Sequence, residues 1–411
     1  MMYDRRWLRR SRALGLWLGV TVGLASASPL AYGGTHVVAW GAGTFISSPP
    51  DYNNYGQSIV PSTVTNATLV AGGWRHSLAL NTDGTLVGWG DDTLGQIAFS
   101  PSDSNWLAIA CGRLHSLALN ANGLVSAAGD DGFGQTEVPS SLSNVVAIAC
   151  GFYHSVALRS EGTVAAWGTS TNINSIGTDP SYGQAIVPPN LSNVVAVAAG
   201  GWHNLALRSD GTLLAWGRDD YGQADILPGL SNVVAVSAGA AHNLALRANG
   251  TVVAWGLNLY GQTNVPAGLS NVVAIAAGGW HNLALKSDGT VVAWGAGGPN
   301  TNVLVACGQN FVPTGLNNVV RIAAGAVHSL ALMGSAPPLL RAPLAQANIT
   351  TSGFHVEVPT LPGHVYALEY QSSPAGENWQ PLPLKAGTGG LLQLNDPTPC
   401  AGKSFYRVRR W

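Results

Sequence analysis

Charge is scarce in this chain: Asp, Glu, Lys and Arg make up only 9% of its 411 residues, against 46% hydrophobic ones. That balance is the reverse of a disordered segment's. Cysteine is scarce too. Cys111, Cys150, Cys307 and Cys400 stand at spacings that match no zinc motif. After the first thirty residues no apolar run is long enough for a membrane-spanning helix. A basic surface is also missing, since residues 28–334 hold 8 Lys and Arg against 15 Asp and Glu, a net of −7. Nucleic acid is therefore not an expected partner, because binding it requires cations that displace the phosphate counterions. The chain has no nucleophile-elbow serine, no His-Glu-x-x-His and no isolated carboxylate pair outside its repeats. No catalytic residue, metal ligand or cofactor is expected.

Glycine is what the chain has in quantity, with 52 residues among many short apolar runs. That favours an all-β architecture with tight turns. The first residues read as a leader. Arg5, Arg6, Arg9, Arg10 and Arg12 form a basic region, residues 13–24 an apolar one, and Ala25-Ser26-Ala27 a small-residue cleavage site. A signal peptide over 1–27 implies a protein that is secreted or held in the cell envelope, with no membrane span once the leader is cut. An uncleaved leader would instead be an anchor. Arg5-Arg6 fits a twin-arginine route poorly.

Seven repeats follow. A histidine before a small apolar run recurs at His76, His115, His154, His203, His242, His281 and His328. A Gly-Gln pair recurs with its glutamine at 57, 96, 135, 184, 223, 262 and 309, always 19 residues before the next histidine. Thirteen residues after each of the first six histidines stands Trp89, Ala128, Trp167, Trp216, Trp255 or Trp294, with Trp40 opening the series. The base period is 39 residues, which suits a propeller blade. Within a unit, Asn271 opens one apolar strand, His281 a second, and Val291 a third after the Asp288-Gly289 turn. Thr263-Asn-Val-Pro266 reads as a short fourth strand at the edge. The chain begins on a third strand (His36 to Trp40) and the repeats end on a second one (His328 to Leu332). Pairing the two closes a ring of seven and removes two open edges.

Trp255-Gly256, Gly261-Gln262 and Gly278-Gly279-Trp280-His281 resemble the regulator of chromosome condensation repeat family. The likeness covers about residues 36–334, and Ala128 departs from it. It implies a seven-bladed propeller. The family's eukaryotic founder is a nuclear exchange factor for a small GTPase that docks on chromatin. An exported, acidic propeller does not inherit that role. The short period is closer to secreted bacterial members, one of which inhibits a β-lactamase purely by binding it.

The expected fold is all-β: a propeller over 28–334, a linker over 335–345, and a small C-terminal β-sandwich-like domain over 346–411. The tail carries 6 Lys and Arg against 4 Asp and Glu from Arg341 onward. It reads as a cell-surface anchor or a spacer. Cys307–Cys400 is a candidate tether between the two domains, and Cys111 and Cys150 read as small buried residues.

Alternating strands place the Gly-x-x-His and Trp-Gly…Gly-Gln loops on one face. That face diverges from unit to unit while the other repeats, and divergent loops on a rigid scaffold are where binding sits. Trp74, Arg75, Arg113, Leu114, Phe152, Tyr153, Trp202 and Trp280 are the candidate binding residues, being hot-spot types before the repeat histidine. The long loops 42–55, 169–182 and 296–307 belong to the same face. The seven histidines read as structural, each bonding backbone in its own blade. The Trp-Gly tryptophans and the aromatics before Gly-Gln (Tyr55, Phe133, Tyr182, Tyr221, Tyr260) also read as structural. Asp91-Asp92, Asp130-Asp131 and Asp219-Asp220 read as turn formers rather than calcium ligands. The function expected is non-catalytic binding of an extracellular or envelope protein by a monomer. The alternatives are a carbohydrate-binding propeller, and a hydrolase or lyase whose site assembles from several blades.

Overall fold

A computed structural model describes residues 35–44, 54–100, 103–169, 181–297, 307–335, 346–350, 353–371, 379–397 and 405–411. The expected leader, the greater part of the three long loops, the expected linker after residue 335, and Cys400 with its candidate tether lie outside the described residues. Every regular element among the described residues is a strand.

Seven three-stranded antiparallel sheets form the blades, each with an inner, a middle and an outer strand. Blade 1 is Ala67–Gly72, His76–Asn81 and Leu86–Gly90; blade 2 is Trp106–Cys111, His115–Asn120 and Val125–Gly129. Blade 3 is Val145–Cys150, His154–Arg159 and Val164–Gly168; blade 4 is Val194–Ala199, His203–Arg208 and Leu213–Gly217. Blade 5 is Val233–Ala238, His242–Arg247 and Val252–Gly256; blade 6 is Val272–Ala277, His281–Lys286 and Val291–Gly295. Blade 7 takes Val319–Ala324 and His328–Met333 from one end of the repeats and His36–Gly41 from the other. There Val38 lies opposite Ala331 and Gly41 opposite His328, so the ring closes as its two incomplete ends require.

The middle strands are buried along almost their whole length, because flanking strands cover their edges and neighbouring blades both faces. Leu205, Leu207, Leu244 and Leu246 belong to one such inter-blade core. An asparagine opens each inner strand: Asn66, Asn105, Asn144, Asn193, Asn232, Asn271 and Asn318 have φ of 49–60°, a left-handed turn that asparagine tolerates. A bulge follows at once, as between Val145 and Ala147. The fourth strand expected after each Gly-Gln does not form. Residues 264–266 make no ladder. Pro266 has no N–H to give, and Val265 N bonds locally to Thr263 O at 3.0 Å.

The tail folds as two facing sheets. Gln346–Thr350, Gly353–Pro359 and Leu391–Asp396 make one; Val365–Gln371, Gln380–Pro381, Lys385–Ala386 and Phe405–Arg410 make the other. Val356, Val358, Tyr366, Leu368, Leu394 and Val408 fill the core between them. This unit is not a detached spacer. It packs on the face of the ring that carries the uniform turns, where Val365, Ala367 and Leu384 join the core of Val195 and Val234. Gly363 N reaches Val146 O at 3.1 Å, Leu384 N reaches Ser209 O at 2.8 Å, and Arg409 Nη1 reaches Ala248 O at 3.1 Å. Arg321 Nη1 donates to His364 Nε2 at 3.0 Å, and His364 Nδ1 donates to Trp411 O at 2.8 Å. Blades 3, 4, 5 and 7 are thus all held by the sandwich.

Candidate functional site

The repeated residues build the wall of the site. Each motif glutamine is buried, and its Oε1 accepts the backbone N–H two residues earlier, as from Tyr55, Tyr182 and Tyr260 at 2.6–2.9 Å. In five of the repeats its carbonyl takes an indole N–H, from Trp40, Trp89, Trp167, Trp216 or Trp294, as Gln57 does from Trp89 at 2.8 Å. In six of the repeats a glutamine carbonyl takes the side chain of the residue after the histidine, as Gln184 does from Asn204 at 2.9 Å.

The histidines do not bond backbone in their own blades, as the repeat context suggests. Each is fully buried and turns its Nε2 to the serine or asparagine of the next blade. His76 meets Ser116, His115 Ser155, His154 Asn204 and His203 Asn243 at 2.7–3.0 Å. His242 meets Asn282, His281 Ser329, and His328 returns to Ser77, at 2.8–2.9 Å. Seven links form a closed belt. Where the partner is an asparagine whose amide already donates to the glutamine carbonyl, Nε2 must carry the proton. Burial drives the pKa of these histidines down, to about 3 for His76, His115, His281 and His328 and about 4 for His154, His203 and His242. The asparagine partner, a hydrogen-bond acceptor, offsets part of the drop in the latter three. These are neutral structural imidazoles, and no group of three or more metal-ligating side chains forms among the described residues.

The belt explains the glycine of Gly-x-x-His. A Cβ on Gly151 would stand 2.1 Å from the His154 ring and 2.6 Å from Gly200 O. The glycine after each tryptophan has its own reason: Gly168, at φ +100°, would put a Cβ 2.6 Å from Tyr153 O. Around the axis, the Gly-x-x loops line a narrow channel of about 70 Å³. Cys111 and Cys150 end inner strands on its wall and are thiols. Burial pushes Cys111 up to about 12 and Cys150 well above its usual value, so both stay protonated.

The divergent residues gather at one mouth of this channel. Trp74 meets Trp280 edge to face at 5.4 Å between centroids and Phe152 at 5.0 Å. Phe152 meets Trp202 at 4.6 Å. Rings from blades 6, 1, 3 and 4 therefore touch in one chain. The small, buried Ala240, Ala241, Ala326 and Val327 of blades 5 and 7 leave room for it. Arg113 lies over both the Trp74 and Tyr153 rings, 5.3 and 5.1 Å from their centroids. Burial and the nearby Arg75 guanidinium pull its pKa down, while Asp130 pulls it up. Arg75 lies over Tyr55 and donates to its hydroxyl at 3.2 Å. Seven of the eight residues picked from sequence fall in these contacts. Leu114, half-buried, makes no ring contact.

Sequence reasoning missed part of the patch. Arg218, one residue past Trp216-Gly217, lies over Tyr182, Trp202 and Tyr221 at 4.8–5.6 Å. Phe133, Tyr182 and Tyr221 are exposed rim residues, not packing anchors. The buried glutamine fixes their backbone and leaves their rings outside. The aspartate pairs close loops: Asp92 accepts from Ile97 N at 3.1 Å, Asp131 from Thr136 N at 3.0 Å and Asp219 from Ala224 N at 2.7 Å. Asp91-N and Arg75-O, like Arg218-N and Trp202-O, bond at 2.8–2.9 Å, which ties both loop sets to the same face.

No curated protein matches the chain. Several solved structures share its fold. Prp20p of Saccharomyces cerevisiae, which binds Gsp1p and histones, is 20% identical with a TM-score of 0.57, over 74% of this chain and 92% of that one. Human WBSCR16 is 21% identical with a TM-score of 0.53, over 74% and 99%. The ectodomain of the Physcomitrella patens receptor kinase CR4 is 17% identical with a TM-score of 0.53, over 80% and 88%. At such identities the likeness concerns fold alone. The sequence itself matches the regulator of chromosome condensation (RCC1) repeat at residues 67–96, 106–135, 145–173, 194–223, 233–262 and 272–298. With six matched repeats and a seventh that closes the same ring, the chain belongs to the regulator of chromosome condensation repeat family.

Proposed function

We propose that this chain is an exported, non-catalytic propeller that captures a protein partner in the aromatic mouth of its ring. A propeller of this family is a binding scaffold, and such propellers are generally not enzymes. The observation that carries the reading is the unbroken run Trp280–Trp74–Phe152–Trp202 on one face, bordered by arginines. Half-buried tryptophan, tyrosine and arginine at the centre of a surface are the side chains that dominate protein–protein affinity. Edge-to-face packing favours a protein over a glycan, because a sugar stacks on an open ring face and here neighbouring rings and guanidinium groups meet those faces. On the opposite face the C-terminal sandwich packs against the inner-strand valines, with Val365, Ala367 and Leu384 joining the core of Val195 and Val234. The leader-like first 27 residues carry the export part of the proposal and point to an extracellular or envelope partner.

Affinity capture from extracellular and envelope extracts with the mature chain, beside a Trp74→Ala plus Trp202→Ala control, tests it. A protein held by the wild type and lost by the control is the expected result. Equal capture by both would place the site elsewhere, and a glycan-array hit without any captured protein would replace the partner class.

A further inference from the structure

We propose that Arg113 is the receptor for a single carboxylate that a loop of the partner protein projects into the aromatic mouth. The inference rests on the protein-binding reading and adds the chemistry of the partner. The ionised groups at this mouth differ in how far their own chain uses them. Asp91 accepts from Thr93 N at 3.1 Å, and Asp130 from Gly132 N and Gln135 Nε2 at 3.3 and 2.8 Å. Asp92, Asp131 and Asp219 close loops in the same way. Arg218 is held by Asp220 at 2.6 Å. Arg113 alone among these lies over two rings with its hydrogen-bond donors unspent among the described residues. It lies over the Trp74 and Tyr153 rings at 5.3 and 5.1 Å, and no described residue accepts a hydrogen bond from it. A guanidinium already held against two rings loses little freedom on binding, and its fork matches one carboxylate bidentately. The surrounding rings exclude water from the pair, which strengthens it. A phosphate-rich polymer fits less well, since the rim aspartates would repel its length.

The test is selection of random peptides displayed on phage against the full chain in four forms: wild type, Arg113→Gln, Arg113→Lys, and Trp74→Ala plus Trp202→Ala. The wild type should enrich peptides sharing one Asp or Glu. Changing that acid to its amide in a synthetic peptide, or Arg113 to Gln, should weaken binding about tenfold or more. Both changes together should cost no more than either alone, Arg113→Lys should fall between, and melting should not move. Peptides with no shared acid, or equal affinity for Arg113→Gln, would overturn the carboxylate while leaving the mouth a protein site. No enrichment, or equal enrichment by the tryptophan variant, would overturn the mouth itself and this inference with it.

Discussion

The two faces of this ring are made from the same seven repeats and have opposite characters. On the sandwich side the turns repeat almost unchanged, and valines at the start of the inner strands meet the C-terminal unit. On the open side the two residues before each histidine take six different forms in seven blades, with only Gly201-Trp202 and Gly279-Trp280 alike, and they assemble one asymmetric patch of rings and guanidinium groups. Uniformity marks what the ring needs in order to exist. Divergence marks what has been freed for recognition. The belt of histidines lies between, identical in kind around the circle, and it permits the open face to vary without loss of closure.

Acid should break this contrast most severely, because it strikes all seven links at once. Each belt histidine has a folded pKa of about 3 or 4, below the ordinary 6.5. A depressed folded pKa contributes stability that is fully present above 6.5. It is lost as pH falls toward 4, where the unfolded chain takes up protons that the folded one refuses. Melting temperature should therefore be flat above about pH 7 and fall steeply below about pH 6. A flat profile down to pH 4 would contradict a neutral buried belt. Next in size is Gly151→Ala, which forces a Cβ into the His154 ring and should cost about 3 kcal/mol in a denaturant titration. Losses at the open mouth come third and appear in affinity, not stability. Trp74→Ala with Trp202→Ala should lose about 2 kcal/mol or more of partner binding with little change in melting. The smallest effect belongs to Cys111→Ala, which restores the residue other blades carry there. It should stay within about 0.5 kcal/mol and leave binding unaltered, and a large loss would give the thiol a role that its protonated state does not suggest.

Much of this was legible in the sequence. Invariant spacings between glutamine, histidine and tryptophan gave the number of blades and the pairing of His36–Gly41 with His328–Met333. The fourth strand was misread because a β-prone Thr-Asn-Val-Pro says nothing about whether a partner edge is within reach. The belt was visible only in part. Serine or asparagine follows every one of the seven histidines, yet its role appears only once blades 40 or more residues apart are side by side. Arg218 went unnoticed because it follows Trp-Gly rather than preceding a histidine. The seating of the sandwich depends on surfaces without period, such as Arg321 against His364, and no repeat announces those.

The pairing of the first strand with the last repeat also sets a clock. His36 finds its partner in Met333, so the ring cannot shut until nearly three hundred further residues have been made. Such distant pairing is slow, since the entropy of closing the loop is spent before any contact rewards it. Until then the edge of His36–Gly41 and the outer edge of His328–Met333 both lie open to foreign strands. A chain delivered in one piece closes itself, whereas one stalled before residue 328 retains six blades and a standing invitation to aggregate.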